Sequence, residues 1–347
     1  MAILLTGGLG FIGSHTAVQL LNAENDVVII DNLSNSETEV LRRIRKITGK
    51  SPKFYEGDII SSETLDIIFL ENKIESVVHF AGLKAVGEST EQPLKYYKNN
   101  VSGTINLLQT MERYNVHKIV FSSSATIYGS PKSNPIHENY ARSATNPYGR
   151  TKLIIEQIIE DLDHEKWNAI ILRYFNPIGA HPSGLIGESP LGEPNNLIPI
   201  VLKVANSELK CLKVFGDNYD TPDGTAIRDY IHVVDLSDAH VKSIDLLSSR
   251  PYGLSIFNIG TGRPHSVLEV IDIFEKVNNI SIPHQFVERR QGDVGECWAD
   301  CSKSNRGLKW RSHFGIEDML KHAWKWKSKN PSGYLSVNHH DSDVMPL

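Results

Sequence analysis

The chain has 347 residues, a formal net charge of -5 and three cysteines. This length suits one large or two medium domains with a packed core. The negative charge and the lack of a long basic run argue against binding to nucleic acid or to an anionic membrane. No apolar run is long enough to span a bilayer, and three cysteines do not make a disulfide framework, so we expect a cytoplasmic protein.

A glycine-rich segment follows the first apolar run and precedes a helical pattern. Gly8, Gly10 and Gly13 match the G-x-G-x-x-G fingerprint, in which glycines allow a tight turn, close approach to a pyrophosphate and helix–strand packing. The next predicted strand, 27–30, ends at Asp31, an acid that can hold the adenosine ribose hydroxyls and repel a 2′-phosphate. An ordinary βαβ unit is the alternative, but the whole pattern favours NAD.

The first half of the chain alternates predicted strands with helical patterns, which is typical of a parallel sheet covered on both faces. We therefore predict an α/β protein with a doubly wound, Rossmann-type parallel sheet and a second, smaller α/β substrate domain. The predicted bounds are 1–175 for the NAD-binding domain, 176–330 for the substrate-binding domain and 331–347 for a loose tail. A segment at about 229–260 is predicted to return to the first domain.

Polar residues follow several predicted strands at the edge where open α/β sheets bind ligands. The strand 118–121 leads directly to Ser122, Ser123 and Ser124, and at least one of these three serines is expected in the site. Asp58 ends a shorter strand, although a simple Gly-Asp turn is an equal alternative. His79, inside another strand, is interpreted as a packed residue.

A tyrosine and a lysine lie four residues apart on a predicted helix. Asn146 is a good N-cap and Pro147 a good first helical residue, so Tyr148 and Lys152 should share one helix face. A phenol needs its pKa lowered by about 3 units to act as a base near neutral pH. A nearby cation favours the ionised phenol. A solvated Tyr–Lys pair is the alternative, but the glycine loop and the serines favour a catalytic pair.

Together these segments resemble the UDP-sugar 4-epimerases of the extended short-chain dehydrogenase/reductase family. The resemblance extends from the glycine loop to about Trp326 and is carried by the segments 6–13, 79–89, 122–126, 148–152, 173–176, 179–184 and 228–232. It implies a tightly held NAD, a UDP-hexose substrate and a homodimer formed through the helix 96–114 and the helix that bears Tyr148. The implied reaction is C4 epimerisation of UDP-glucose and UDP-galactose.

The resemblance also implies roles for individual residues. Tyr148 would take the proton of the sugar 4-hydroxyl while C4 gives its hydride to the nicotinamide, and the 4-keto sugar would turn over before the hydride returns. Lys152 would lower the Tyr148 pKa, and Ser124 would hydrogen-bond the sugar oxygen. The implied cofactor contacts are Gly7, Gly10, Phe11, Ile12, Gly13, Asp31, Asn32, Asn35, Asp58, Ile59, Phe80, Ala81, Gly82, Lys84, Asn99, Ser122, Tyr148, Lys152, Tyr174 and Phe175. The implied substrate contacts are Lys84, Ser124, Tyr148, Asn176, Asn196, Leu197, Phe215, Arg228, Tyr230, Arg290, Asp293 and Cys297.

Three other functions remain open at the level of the sequence. Nucleotide-sugar dehydratases are similar but carry an Asp-Glu pair where this chain has Ala125 and Thr126, so dehydration lacks its acid and base. A decarboxylase is a further alternative within the family. A dinucleotide-sensing protein is less favoured, because such proteins usually lack the tyrosine–lysine pair.

Cys297 bears on the choice of substrate. By the resemblance, it replaces a bulky tyrosine of epimerases restricted to plain UDP-hexoses, and a small side chain leaves room for an N-acetyl group at C2. We therefore expect activity on UDP-N-acetylglucosamine and UDP-N-acetylgalactosamine. The alternative is a buried small hydrophobe. Cys297 and Cys301 have no companion ligand spacing, so no metal site is expected.

Overall fold

A computed structural model describes residues 1–192, 194–250, 252–290 and 292–336. The strands are, in chain order, β1 (Ala2–Thr6), β2 (Asp26–Asp31), β3 (Lys53–Glu56), β4 (Ile74–His79), β5 (Lys118–Ser124), β6 (Asn168–Tyr174), β7 (Asn176–Ile178), β8 (Leu212–Phe215), β9 (Ile227–His232), β10 (Gly253–Ile259), β11 (Pro264–Ser266), β12 (His284–Val287) and β13 (Glu296–Cys297).

Helices follow most of these strands. They are α1 (Phe11–Asn22), α2 (Glu39–Thr48), α3 (Ser62–Glu71), α4 (Val86–Glu91), α5 (Pro93–Tyr96), α6 (Gly103–Arg113), α7 (Pro147–Glu160), α8 (Leu197–Ala205), α9 (Val233–Ser249), α10 (Val267–Asn278), α11 (Ser302–Gly307) and α12 (Ile316–Lys329). A π-helix covers Tyr97–Ser102, and 3₁₀ turns cover Ala125–Tyr128 and Gly333–Ser336.

The main sheet has seven strands in the described residues, in the spatial order β10-β6-β5-β4-β1-β2-β3. Every neighbouring pair in it is parallel. The chain builds outward from β1 through β2 and β3, then crosses back to β4 and continues through β5. The order therefore reverses between β1 and β4, and ligands bind at the carboxyl ends of strands beside such a switch point. The α/β class and the doubly wound parallel sheet are confirmed.

The central strands β1 and β2 are apolar and almost fully buried, as expected for a parallel sheet that helices cover on both faces. One face packs against α1 and α9 through residues such as Val18 and Leu236. The other packs against α3 and α6 through residues such as Leu65 and Leu107. The two layers hold the carboxyl ends of the strands in fixed relative positions.

A smaller unit of short elements lies beyond β6. In it β9 pairs with β7, β11 and β13, while β8 pairs with β12. Its own apolar cluster joins α8, α10 and α12. The strand β10 lies in the main sheet, in register with β6 from Gly253–Asn168 to Ile259–Tyr174. The boundaries of the two predicted domains stay a prediction.

Two local features differ from the sequence expectations. The helix predicted over 96–114 is divided by the π-helix, which includes both Asn99 and Asn100. The first part of the predicted loose tail is anchored, because Tyr334 is buried and its hydroxyl donates to the Gly187 carbonyl at 3.1 Å. Residues 337–347 of that tail lie outside the described residues.

Candidate active site

The glycine loop at the end of β1 forms a narrow cradle. Gly7 has a φ of +67°, and a Cβ added there would lie 2.9 Å from the Ala81 backbone. A Cβ added at Gly13 would lie 2.4 Å from the Gly7 carbonyl oxygen. Gly10 begins α1 without a side-chain cap, and the first turn has no acidic residue. The free N–H groups and the helix dipole there suit a pyrophosphate, so these residues fit a dinucleotide.

Asp31 lies at the carboxyl end of β2, beside the cradle. Its Oδ2 accepts the Leu9 N–H at 3.0 Å, and its Oδ1 accepts the Ser36 hydroxyl at 2.7 Å and the Leu33 N–H at 3.0 Å. These bonds fix the carboxylate against the glycine loop. The predicted ribose-binding acid is thus rigidly held at the position that the fingerprint requires.

Several other predicted cofactor contacts follow the carboxyl ends of β2 and β3. Asn32 donates from Nδ2 to Asp58 Oδ2 at 2.8 Å, so the structure brings these two together. Asn35 Oδ1 accepts the Leu191 N–H at 3.2 Å. Ile59 differs, because its side chain is buried beneath Gly103, where an added Cβ would lie 2.9 Å from Ile59 Cδ1.

The loop after β4 approaches the cradle closely. The Phe80 N–H donates to the Thr6 carbonyl at 3.1 Å, and the Ala81 N–H donates to Thr6 Oγ1 at 3.2 Å. Gly82 has a φ of +159°, close to extended backbone. Lys84 Nζ forms an ion pair with Glu188 Oε1 at 3.0 Å.

Asn100, which sequence reasoning did not single out as a site residue, ties this loop to the catalytic helix. Its Oδ1 accepts the Leu83 N–H at 2.8 Å, and its Nδ2 donates to Thr151 Oγ1 at 3.0 Å. The neighbouring Asn99 is half-buried in the same π-helix. The high cost of asparagine inside a helix was the available signal. Single-turn π segments inside helices are frequent at functional sites.

The predicted cap places the catalytic pair at the start of α7. Asn146 Oδ1 accepts the Gly149 N–H at 2.8 Å, with Pro147 as the first helical residue. Tyr148 and Lys152 are both buried. Lys152 Nζ donates to the Ser122 carbonyl at 2.8 Å, so the lysine is anchored to the end of β5. Burial lowers the pKa of Lys152 to about 8, and the charge of Glu156 opposes this shift.

Ser124 ends β5 beside Tyr148. Its Oγ accepts both the N–H of Thr126 at 3.2 Å and the hydroxyl of Thr126 at 3.0 Å. The proton of Ser124 is then free to be donated to the Tyr148 oxygen, and this hydrogen bond favours the ionised phenol. The serine and the tyrosine therefore lie together, as predicted for a proton pathway.

The Tyr148 pKa differs from the sequence expectation. Burial raises it above its usual range, and the nearby Tyr174 phenol raises it further. The Ser124 hydrogen bond opposes both effects but does not overcome them. The Lys152 ammonium is bonded to the Ser122 carbonyl, and its predicted effect on the Tyr148 pKa stays a prediction. A further positive charge next to the phenol is needed to make it a base.

Tyr174 and Phe175 close the site at the end of β6. Burial raises the pKa of Tyr174, while the Ser122 hydroxyl and the charge of Lys84 lower it. Phe175 is buried, and its N–H donates to the Ile259 carbonyl at 3.2 Å. Tyr174 thus lies close enough to Ser122 and Lys84, two of the predicted cofactor contacts, for both to affect its pKa.

A buried ion pair lies directly behind the catalytic residues. Glu156 accepts from Arg173 Nη2 at 2.7 Å and from the Ser123 hydroxyl at 2.5 Å. Glu156 is one turn after Lys152 on α7, and Ser123 precedes Ser124. Sequence reasoning missed Glu156, although an acid four residues after Lys152 was a visible signal.

Several residues predicted to contact UDP lie close to Tyr219. Tyr219 itself was not among the predicted site residues. Arg290 lies over the Phe215 ring at 3.9 Å, and Arg289 lies over the Tyr219 ring at 4.0 Å. The Tyr219 phenol is also within electrostatic reach of Arg228. Three permanent cations with forked donors suit a pyrophosphate. Arg289 is thus an additional candidate for the substrate site.

The remaining predicted substrate contacts lie on elements next to these cations. Asp293 donates its N–H to the Arg290 carbonyl at 3.2 Å and influences the Tyr219 pKa. Tyr230 is paired with Asn176 where β9 runs beside β7. Asn196 and Leu197 are at the start of α8.

Cys297 lies at the boundary between the two halves of the site. In β13 it is in register with Arg228 of β9. Its side chain packs against the cluster that contains Tyr128 and Phe175, behind the end of the catalytic strand β5. Burial raises the pKa of the Cys297 thiol to about 11, so the thiol stays protonated at neutral pH. A small neutral side chain therefore lies between the catalytic and the UDP-binding residues.

The described residues contain no group of three or more His, Cys, Asp or Glu side chains that could hold a metal ion. None of the helices in the described ranges is long and apolar enough to cross a membrane.

The fold and the site define an enzyme of the extended short-chain dehydrogenase/reductase class. The family model described as GDP-mannose 4,6 dehydratase matches residues 4–323. A UDP-glucose 4-epimerase of Bacillus subtilis is 54% identical over 340 residues, covering 97% of this chain and 100% of the relative. A UDP-glucose 4-epimerase of Dictyostelium discoideum is 52% identical, covering 96% and 97%. The chain belongs to the UDP-glucose 4-epimerase family.

Solved structures give the same relationship. UDP-glucose 4-epimerase from Bifidobacterium longum, in complex with NAD+ and UDP, has a TM-score of 0.92 at 50% identity and covers 96% of this chain and 100% of its own. The UDP-Glc/GlcNAc 4-epimerase of Campylobacter jejuni has a TM-score of 0.82 at 35% identity, covering 94% and 99%.

Proposed function

We propose that this protein interconverts the C4 epimers of UDP-hexoses with a bound NAD, and that it accepts both plain and N-acetylated sugars. The observation that carries this proposal is the buried group of Tyr148, Ser124 and Lys152 beside the glycine cradle. The relatives named UDP-glucose 4-epimerase and the solved complex with NAD+ and UDP support the reaction and the cofactor.

The chain's own residues position the substrate and move its proton. The arginines around Tyr219 bind the UDP pyrophosphate, which leaves the sugar directed towards Ser124 and Tyr148. Ser124 donates to the sugar oxygen or to the phenol, so the 4-hydroxyl proton can pass to the Tyr148 oxygen. Both groups are buried, so bulk water is excluded from this transfer. When bound, NAD supplies a reversible hydride acceptor and a positively charged ring that favours the ionised Tyr148.

Epimerisation is favoured over dehydration by the turn that follows Ser124. Ala125 and Thr126 begin the 3₁₀ turn at this point, and the Thr126 hydroxyl donates to Ser124. A carboxyl pair is therefore absent from the place where dehydratases of this family carry one, although the matching family model has a dehydratase's description. Without an acid and a base, loss of water from the sugar is not assisted.

The proposed action on N-acetylated sugars depends on the volume left by Cys297. Cys297 packs against the cluster that contains Tyr128 and Phe175, and a tyrosine in its place would add the bulk of a ring beside them. The Campylobacter jejuni relative, whose name includes both UDP-Glc and UDP-GlcNAc, supports a dual substrate range within this fold.

The proposed homodimer uses an apolar groove between α6 and α7. Ile105 is exposed, and Leu108, Ile158, Leu162 and Trp167 line the groove beside it. These are the two helices that the family resemblance assigns to the interface. The three free cysteines are compatible with a reducing compartment, and we place the protein in the cytoplasm.

The test is incubation of the purified protein with UDP-glucose and, separately, with UDP-N-acetylglucosamine, with no added NAD. Formation of both C4 epimers is expected. Conversion of UDP-glucose alone would contradict the role of Cys297, and no conversion even with added NAD would contradict the epimerase assignment. Protein mass in solution, measured by light scattering, tests the dimer.

A further inference from the structure

The segment from Leu185 to Leu191 runs across the mouth of the cofactor cleft. At one point Glu188 pairs with Lys84, in the loop after β4, and further along the Leu191 N–H donates to Asn35, in the loop after β2. The sheet order places β1 between β4 and β2. The segment therefore passes over the end of β1, where the glycine cradle lies.

This segment is held from its other side by the C-terminal part of the described chain. Tyr334 Oη donates to the Gly187 carbonyl at 3.1 Å, and Trp326 Nε1 donates to the Glu188 carbonyl at 3.1 Å. A Cβ added at Gly187 would lie 2.4 Å from the Trp326 ring, so the contact is close. The backbone that carries the Glu188 carboxylate is thus fixed.

Arg43 of α2 connects this support to the NAD-binding sheet. Its buried guanidinium lies 5.0 Å from the Tyr334 ring centroid and 5.4 Å from that of Trp326. It donates to the Leu185 carbonyl at 2.9 Å and to Asn330 Oδ1 at 2.6 Å. Arg43 is therefore bonded both to the covering segment and to the C-terminal support.

We propose that Glu188 is a positioning residue that holds Lys84 across the cofactor cleft, and that the Glu188–Lys84 pair keeps the segment 185–191 closed over the bound dinucleotide. Lys84 belongs to the loop after β4, on one side of the switch point. Glu188 belongs to the segment that crosses the switch point. Opening the cleft requires this pair to separate. The inference rests on the proposed function because it assigns a dinucleotide to the cradle.

The experiment measures NAD retention directly. Holoenzyme is diluted into NAD-free buffer, and the NAD that remains with the protein is quantified over time after denaturation. Loss of one partly exposed ion pair should speed NAD release by about fivefold in Glu188→Gln and in Lys84→Met. Because both variants break the same pair, the double variant should release NAD no faster than the faster single variant.

Matched variants separate positioning from folding. Glu317→Gln removes a surface ion pair with Lys321 on α12 and should release NAD at the wild-type rate. Tyr334→Phe keeps the ring beside Arg43 but loses the bonds to Gly187, and it should release NAD faster with an almost unchanged melting temperature. Deletion of 331–347, which removes Tyr334, should also speed release.

Two results would overturn the inference: wild-type retention in Glu188→Gln, or additive effects in the double variant. If the wild-type protein neither contains nor takes up NAD, the proposed function itself fails. If it holds NAD and all variants hold it equally, only the role of Glu188 is wrong.

Discussion

Lys152 Nζ donates to the carbonyl oxygen of Ser122 at 2.8 Å, in a fully buried contact between the catalytic helix α7 and the end of β5. This bond sets the distance between the lysine and the serines of the site. The same burial lowers the pKa of Lys152 to about 8. The hydrogen bond therefore holds the lysine in place, while burial disfavours its charged form.

Lys152→Met should abolish turnover while changing the pH dependence of stability. The lysine has a pKa of about 8 in the folded chain and a usual value of 10.5. Between these values the unfolded chain binds more protons, so Lys152 makes the wild-type stability rise with pH in this window. Urea unfolding at pH 7 to 10.5 should show the wild type gaining stability relative to the variant. Lys242→Met, at an exposed lysine, is the control, and a parallel pair of curves for wild type and Lys152→Met would contradict the prediction.

Tyr148→Phe should retain NAD and UDP binding but lose most turnover. The variant keeps the buried ring and removes only the oxygen that exchanges a proton with Ser124. Loss of a positioned acid–base group costs about 10²- to 10⁴-fold in rate. The measurement is kcat with UDP-glucose together with UDP affinity by calorimetry. Tyr140→Phe, which removes an exposed phenol bonded to Ser133, should stay fully active.

Cys297→Tyr should selectively remove action on N-acetylated sugars. The larger side chain fills the volume beside Phe175 that the N-acetyl group would use. We expect kcat/KM for UDP-N-acetylglucosamine to fall at least tenfold more than kcat/KM for UDP-glucose. Cys297→Ser keeps the small volume and serves as the control. Equal losses on both sugars would instead indicate general damage to the site.

Breaking the Glu156–Arg173 pair from one side should destabilise the fold strongly. Both side chains are buried, and their closest atoms are 2.7 Å apart. Removing one partner of a buried pair costs about 3–5 kcal/mol because the other charge is left uncompensated. Glu156→Gln and Arg173→Met should each lower the free energy of unfolding by about this amount. The double variant should lose less than the sum, and additive losses in urea unfolding would show that the two residues act independently.

Acid should unfold the protein through buried histidines at the junction of α1 with the substrate-binding part. Burial lowers the pKa of His15 to about 3 from 6.5 and the pKa of His181 to about 4. The unfolded chain binds more protons in this window, so stability falls as the pH drops from about 6.5 towards these values. His15→Leu should take up about one proton fewer on unfolding between pH 6.5 and pH 3. An unchanged pH slope of the free energy of unfolding would contradict this account.

The sequence by itself determined the features that depend on local patterns. Four such features each depend on a short segment of sequence: the glycine loop, the acid that ends β2, the cap at Asn146, and the spacing of Tyr148 and Lys152. Each of them has the predicted local structure, because strand periodicity, glycine turns and capping act over a few residues. The doubly wound sheet followed from the alternation of these local elements.

Only the tertiary structure decided how distant segments meet. It placed Arg289 and Tyr219 with the predicted arginines and put Glu156 behind the serines. Burial raised the Tyr148 pKa, whereas the spacing alone had suggested a lower value. The tertiary structure also anchored Tyr334 where a polar tail had been expected. These outcomes depend on burial and on contacts between residues far apart in the chain, and neither is encoded in the periodicity of a short segment.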